Sequence, residues 1–271
     1  MWKAILSPDF FSTILRSATP ILFATLASAI AAKSGICNMA LEGIMLFSAL
    51  FGVIFSSLTH SAWLGLLITM VIGGLIGMIL AFFILNLKTD EILAAIAINL
   101  TATGGTVLIM VAFSGDRGVS SSIRSVSAPT VTLPLIEKIP FIGSVLSGQN
   151  VLTWLAILAV ILLHLFLYKT PLGLAIRAVG ENKNAAESVG ISSRKIKYIA
   201  LIISGVLASM GGFYLSGGYM NMFTKDMSGG RGFIALAASS MGGDTPVGGF
   251  LVSLLFGLAQ AVANVMQLTS L

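Results

Sequence analysis

Ionisable and amide side chains inside long apolar runs are the groups in this sequence that can do chemistry. Glu42 and Asn38 stand four residues apart at the head of such a run. On a helix that spacing puts a carboxylate and an amide on one face, where they can line a polar cavity. The opposing reading leaves Glu42 near the inner end of its span, hydrated or capping. Asn99 lies deeper in another run, and its amide either bonds a polar solute or ties helices together. Gln260 and Asn264 repeat the spacing of four and carry the same two readings. Around a glycine-rich turn stand Asn221, Met222, Phe223, Lys225, Asp226 and Arg231. In a re-entrant segment Phe223 would stack on a solute ring and Arg231 would hold the broken backbone by donating to carbonyls. In an external loop the same charges are solvated. No acid, base and nucleophile converge, so no catalytic residue is assigned. His60 and His164 have no second ligand at metal spacing, so no metal site is expected.

The elements that position these groups are set by composition. Of 271 residues, 56% are hydrophobic and 9% charged, with a mean hydropathy of +1.01. Soluble domains carry about 25% charged residues, so lipid is the solvent for most of the chain. Runs long enough to cross it, about 20 residues each, lie at Ser12 to Ala32, Met39 to Leu58, Ala62 to Leu85, Ile92 to Phe113, Val151 to Tyr168, Ile196 to Gly217 and Pro246 to Leu268. Gly232 to Met241 is too short alone. Backbone groups in hydrocarbon must be paired within their own segment, so the runs are helices. The expected fold is all-α, a polytopic transmembrane helical bundle of about seven to nine membrane segments, one short and re-entrant. It is read as a single domain over 1–271. Lys3, Arg16 and the apolar stretch to Ala27-Ser28-Ala29 resemble a signal peptide, but the charged, proline-containing lead is long and the stretch is read as the first span. Cys37, the single cysteine, is read as a small packing residue.

Two connections are long: 114–150, rich in Ser, Gly and Pro, and 169–197. The second carries Lys169, Arg177, Lys183, Arg194, Lys195 and Lys197 against Glu181 and Glu187, which places it in the cytoplasm by the positive-inside rule. The 114–150 loop is then extracytoplasmic, Lys33 and the Lys88 turn lie inside, and the N-terminus lies outside. The net charge of +5 is therefore topological and no nucleic-acid partner is implied. Thr89, Asp90 and Glu91 read as an N-cap and acidic first turn. Trp63 and Tyr168 read as interfacial anchors. Paired glycines at 73, 74 and 77, at 104 and 105, at 211 and 212, and at 248 and 249 read mainly as helix contacts.

The 169–197 loop contains Pro171-Leu172-Gly173-Leu174-Ala175-Ile176-Arg177-Ala178-Val179-Gly180-Glu181-Asn182, then Asn184-Ala185-Ala186 and Gly190-Ile191. Two short helices divided at Gly180, with Ala185 and Ala186 on a close-packed face and Gly190 as terminator, suit docking into another protein's groove. A solvated loop helix is the alternative. Ala185-Ala186 with Gly190 resembles the Glu-Ala-Ala loop of ABC importer permeases, with Asn184 where the leading Glu would stand. The Gly-Leu-x-x-Arg-Ala-Val-Gly-Glu-Asn run is similar to the branch serving ribose, branched-chain amino acids, simple sugars and nucleosides. Gly35-Ile36-Cys37-Asn38-Met39-Ala40-Leu41-Glu42-Gly43, Asp90-Glu91-Ile92-Leu93 with Asn99-Leu100, Ser204-Gly205-Val206-Leu207-Ala208 and Gly230-Arg231-Gly232-Phe233-Ile234-Ala235-Leu236-Ala237 resemble the same family in the same order, the first and last of them closest to the nucleoside and simple-sugar permeases.

That resemblance implies an importer permease of the bacterial inner membrane working by alternating access. Its partners would be an ABC ATPase subunit holding ATP and magnesium, a second permease subunit, identical or homologous, and an extracytoplasmic substrate-binding lipoprotein. Arg177, Gly180, Glu181, Asn184, Ala185, Ala186 and Gly190 would couple to the ATPase. Asn38, Glu42, Asn99, Phe223, Arg231 and Gln260 are the translocation-path candidates. No Gly-x4-Gly-Lys-Ser/Thr loop occurs, so ATP would be hydrolysed on the separate subunit and no cofactor is assigned to this chain. Family members usually continue past a segment like Pro246 to Leu268 into a proline-containing turn and another apolar span, so the resemblance implies a truncated or short member. The rival class is a secondary transporter or channel with Glu42 or Asp226 carrying an ion; several ion-binding carboxylates or inverted repeats would mark it, and neither stands out. A membrane-embedded enzyme is the third class.

Overall fold

Side chains that close the first turn mark where three of the spans begin. Ser61 accepts from the Leu64 N–H, Asp90 from Ile92 and Leu93, and Asn150 from Leu152. Each satisfies donors that a helix start leaves open. The computed structural model describes residues 8–116, 118–120, 122–123, 125–131 and 147–269, the last two by backbone alone. Lys3 and part of the 114–150 loop therefore lie outside the described residues. Among the described residues, seven helices are long and apolar enough to cross a membrane: α1 (Pro8–Lys33), α2 (Leu41–Thr59), α3 (Ala62–Leu85), α4 (Glu91–Ser114), α5 (Val151–Lys169), α8 (Ser193–Phe213, running into a π-helical turn at Tyr214–Tyr219) and α10 (Pro246–Thr269). Two short helices, α6 (Pro171–Glu181) and α7 (Lys183–Ser188), follow α5, and α9 (Arg231–Met241) precedes α10. One two-residue antiparallel pair, Thr130–Val131 with Gln149–Asn150, closes the base of the long loop.

The chain is thus an all-α multi-pass bundle, as its hydropathy implies. Asp90, rather than Thr89, caps α4. Cys37 is exposed, not packed: its neighbours Ile36 and Asn38 in the 34–40 connection are buried instead.

Helix α8 lies at the centre, packed on α1, α2 and α3, while α10 and α9 lie along α1. Glycine sets the closeness of these crossings. A Cβ on Gly205 would land on the Gly73 carbonyl oxygen, one on Gly77 on the Leu201 carbonyl, and one on Gly212 on the Met45 carbonyl. In lipid, where apolar side chains gain nothing by leaving water, such backbone approach is what holds helices together. The outer faces of α3, α4, α5 and α10 show rows such as Leu67, Val71, Leu75 and Met78, or Leu251, Leu255 and Leu258, at helical spacing, a lipid-facing stripe. Gly104 departs from the packing expectation: nothing lies within 4 Å of its would-be Cβ.

The two ends of the bundle differ. At one, Lys33 Nζ donates to the Gly243 carbonyl (3.3 Å), and Arg194 and Tyr198 donate to the side-chain oxygen of Asn86. Helices α6 and α7 lie at this end. At the other, the Ser120 N–H donates to the Phe223 carbonyl (2.9 Å) and the Ala128 N–H to that of Gly217 (2.9 Å).

Substituting Gly205→Val is expected to force α3 and α8 apart and destabilise the bundle by about 1–3 kcal/mol, whereas Gly104→Ala should be neutral. Thermal unfolding of both variants in detergent or nanodiscs tests this; equal melting temperatures would refute the crossing as the tight point.

Candidate functional site

Helix α9 has 11 residues, so it spans about 16 Å, half of a hydrocarbon core about 30 Å thick. Its far end reaches the Gly242–Asp244 turn, beside Lys33. Its N-terminus therefore starts near mid-depth, and the chain must descend to it through residues 220–230. That descent is irregular: Asn221 and Asp226 take left-handed conformations (φ +56° and +54°), as do Gly229 and Gly230 (+55° and +79°).

A helix start at this depth has no water for its free N–H groups. Its N-cap, Gly230, has no side chain to offer. Glu42 supplies the acceptors instead: its Oε1 takes the Gly230 N–H and its Oε2 the Gly232 N–H, both at 2.7 Å. Gly232 is required for this approach, since a Cβ there would come within 2.7 Å of the Glu42 backbone. Glu42 also stands in the first turn of α2, so one carboxylate faces the positive ends of two helix dipoles. Asn99 completes the junction. Just over two turns into α4, about 12 Å from its first residue, its Oδ1 accepts from Gly43 N–H (2.8 Å) and its Nδ2 donates to the Met39 carbonyl (2.9 Å).

Asn38 is not on a helix face with Glu42: α2 starts at Leu41, and Asn38 belongs to the connection that climbs from α1. Only 1% exposed, it donates to Ser204 Oγ (2.9 Å), which donates to the Ala27 carbonyl (2.6 Å). The amides of Asn38 and Asn99 thus join helices. Phe223 is fully buried in the hydrophobic core. It is placed there by a paired backbone to Ser120, so its ring has no face for a solute. Arg231 does hold the broken backbone: Nη1 donates to the Met227 and Ser228 carbonyls, each at 3.1 Å. Its buried Nε has no partner among the described residues.

Arg231 and Gln260 are brought together. They line a cavity of about 80 Å³ with Arg16, Tyr214, Tyr219 and Asn264, bounded by α1, the π-helical turn, the start of α9 and α10. Sequence reasoning placed Gln260, Asn264 and Arg231 among candidates and missed Arg16 and the two tyrosines. An arginine within an apolar run was the available signal for Arg16.

At the Lys33 end, α6 and α7 form a platform. Thr170 caps α6 with Pro171 in its first turn, and Asn182 caps α7. The break is at Asn182, so Gly180 lies inside α6 rather than between the helices. It serves close approach, since a Cβ there would strike the Lys33 carbonyl. Ala186 is buried while Ala185 is exposed, so only one of the pair packs inward. Glu181 and Asn184 are exposed, and Gly190, also exposed, is left-handed (φ +85°) two residues past α7. Arg177 Nε donates to the Leu167 carbonyl (3.0 Å) and its guanidinium lies 4.7 Å from the centre of the Tyr168 ring.

Residues 10–270 match the family described as branched-chain amino acid transport system / permease component. The chain is similar to the nucleoside ABC transporter permease protein NupC of Lactococcus lactis, 33% identical over 94% of this chain and 81% of that protein. It is also similar to the guanosine ABC transporter permease protein NupQ of Bacillus subtilis, 32% identical over 94% and 81%, and to the glucose ABC transporter permease protein TsgB13 of Haloferax volcanii, 27% identical over 98% and 76%. No solved structure matches the chain.

Removing the carboxylate in Glu42→Ala leaves two N–H groups unpaired at mid-depth, a loss of about 1–3 kcal/mol for each. Hydrogen–deuterium exchange of residues 219–232 is expected to speed up by at least about tenfold, with Glu42→Gln intermediate because an amide oxygen can replace only one carboxylate oxygen. Unchanged exchange would show that another group caps α9.

Proposed function

The chain belongs to the family of branched-chain amino acid transport system permease components, and we propose that it imports a nucleoside or simple sugar as the membrane-spanning subunit of an ATP-binding-cassette importer. The observation that carries this is the α6–α7 platform. It lies outside the spanning helices, yet it exposes Leu174 (60%) and Val189 (75%) beside charged Glu181 and Lys183. An amphipathic surface of that kind suits the groove of a soluble ATPase. Beside it Arg177, Glu181, Lys33 and Asp244 line a cavity of about 420 Å³.

In this reading the Lys33 end is cytoplasmic, in keeping with its lysines and arginines, and the 114–150 loop and the N-terminus lie on the extracytoplasmic side of the plasma membrane. A lipid-anchored binding protein delivers solute there. A second permease subunit, identical or homologous, completes the pathway, and ATP-driven closure of the two ATPases moves α6 and α7. The names of the similar proteins, two for nucleosides and one for glucose, support the solute class.

The test is uptake of labelled nucleosides and sugars in cells carrying this chain and its neighbouring genes, with the ATPase intact or lacking its phosphate-binding lysine. Uptake is expected to vanish without the lysine. Uptake that survives its loss but collapses with a protonophore would make the chain a secondary transporter.

A further inference from the structure

We infer that the cavity between α1, the π-helical turn, the start of α9 and α10 is a binding site for one small monovalent anion of chloride's size, which seats α10 against the rest of the bundle. Ser253, Gly257, Gln260 and Asn264 stand three or four residues apart and share one face of α10. The first half of that face packs directly on α1: Ser253 Oγ donates to Thr25 Oγ1 (3.0 Å), and a Cβ on Gly257 would strike Ala18. The second half does not. No hydrogen bond joins Gln260 or Asn264 to another described residue, and the two amides share with Arg16 and Arg231 the lining of a gap of about 80 Å³. Polar groups brought together at such a junction need partners.

The groups around the gap are mostly donors. Each guanidinium carries five and no acceptor. Arg231 uses Nη1 on the Met227 and Ser228 carbonyls, and its buried Nε has no partner among the described residues. Gln260 and Asn264 each offer an amide NH2, and the exposed Tyr219 adds a phenol. The Tyr214 hydroxyl is already bonded to Thr19 and Thr153, so that residue supplies wall alone. Charge points the same way. Arg16, Arg231 and the positive end of α9, worth about half a charge, are met by one nearby carboxylate, Glu42, which the Gly230 and Gly232 N–H groups already engage. Asp9, two turns before Arg16 on α1, is exposed and does not line the gap. An unbalanced cation is costly at this depth. Water, at about 30 Å³ per molecule, fills the space but leaves two guanidiniums without a counter-charge; a halide, little larger than a water, supplies both. A nucleoside or sugar ring is too large for the gap, so the anion is not the cargo.

The experiment uses the full chain in nanodiscs, with the subunits that copurify with it, and reads binding rather than uptake, so the importer reading is untouched by either result. Wild type is expected to bind one radiolabelled chloride per chain, displaced by bromide, and to melt at a higher temperature in chloride than in gluconate of equal ionic strength. Gln260→Leu and Arg16→Gln each remove one charge-assisted contact and should weaken chloride binding at least about tenfold. Gln260→Glu provides a tethered anion instead: chloride binding should vanish, while the melting temperature, now indifferent to chloride, stays at the wild-type value in chloride. Leu255→Ala, on the exposed face of α10, should change neither. Where Gln260→Glu does not fold, Asn264→Asp makes the same comparison. Wild type that neither binds chloride nor melts differently in it leaves water only in the cavity and overturns the site. Chloride binding that survives Arg16→Gln, Gln260→Leu and Gln260→Glu lies elsewhere and overturns the assignment equally.

Discussion

The fold depends on closing two helix starts where there is no water. Helices α2 and α9 both begin inside the bundle, and hydrocarbon cannot solvate their free N–H groups. Glu42 closes α9 through Gly230 and Gly232, and Asn99 closes α2 through Gly43. A charge at this depth is expensive unless it is paired, and here the pairing is with two backbone donors and two helix dipoles. The carboxylate and the broken helices need each other, so neither is readily altered alone.

Around this junction the bundle is held by backbone contact rather than by interlocking large side chains. Gly73, Gly77 and Gly205 bring α3 against α8, and Gly212 brings α8 against Met45 of α2. These three helices, with α1, form the rigid part. The faces of α4, α5 and α10 that remain apolar and exposed answer to lipid. The polar cavity lies where the rigid part meets α10, with Arg16 and Tyr214 on the fixed side and Gln260 and Asn264 on the outer helix.

Span positions were legible because length and hydropathy report them directly, and all seven spans fall within a few residues of the apolar runs. The role of Arg231 as a brace was legible too, since an arginine beside glycines in an apolar setting has carbonyls as its nearest acceptors. What escaped the sequence are facts about approach between distant segments. Asn38 and Glu42 look like one helical face, but α2 starts between them. Phe223 looks free to stack, but its backbone pairs with Ser120 over a hundred residues away in sequence. Gly180 looks like a hinge between helices, but what it meets is the end of α1. In each case spacing gave the residue type a plausible local task, and a tertiary contact assigned it another.

Those same contacts join the two ends of the molecule. Gly180 of α6 lies against the backbone at Lys33 and Gly35; Lys33 Nζ holds the carbonyl of Gly243; Gly243 ends the turn out of α9, whose other end is fixed by Glu42 and carries Arg231 into the cavity. The chain of contacts runs through backbone and one short helix, with few flexible side chains between. Because packed elements shift as units rather than bending, a displacement of α6 bears on α1 and α9 together, and so on the cavity wall that Arg231 forms at the start of α9. Among the described residues Glu42 is the acceptor that holds those two N–H groups, so one carboxylate, together with the packing of α9 on α1 and α10, fixes where α9 begins.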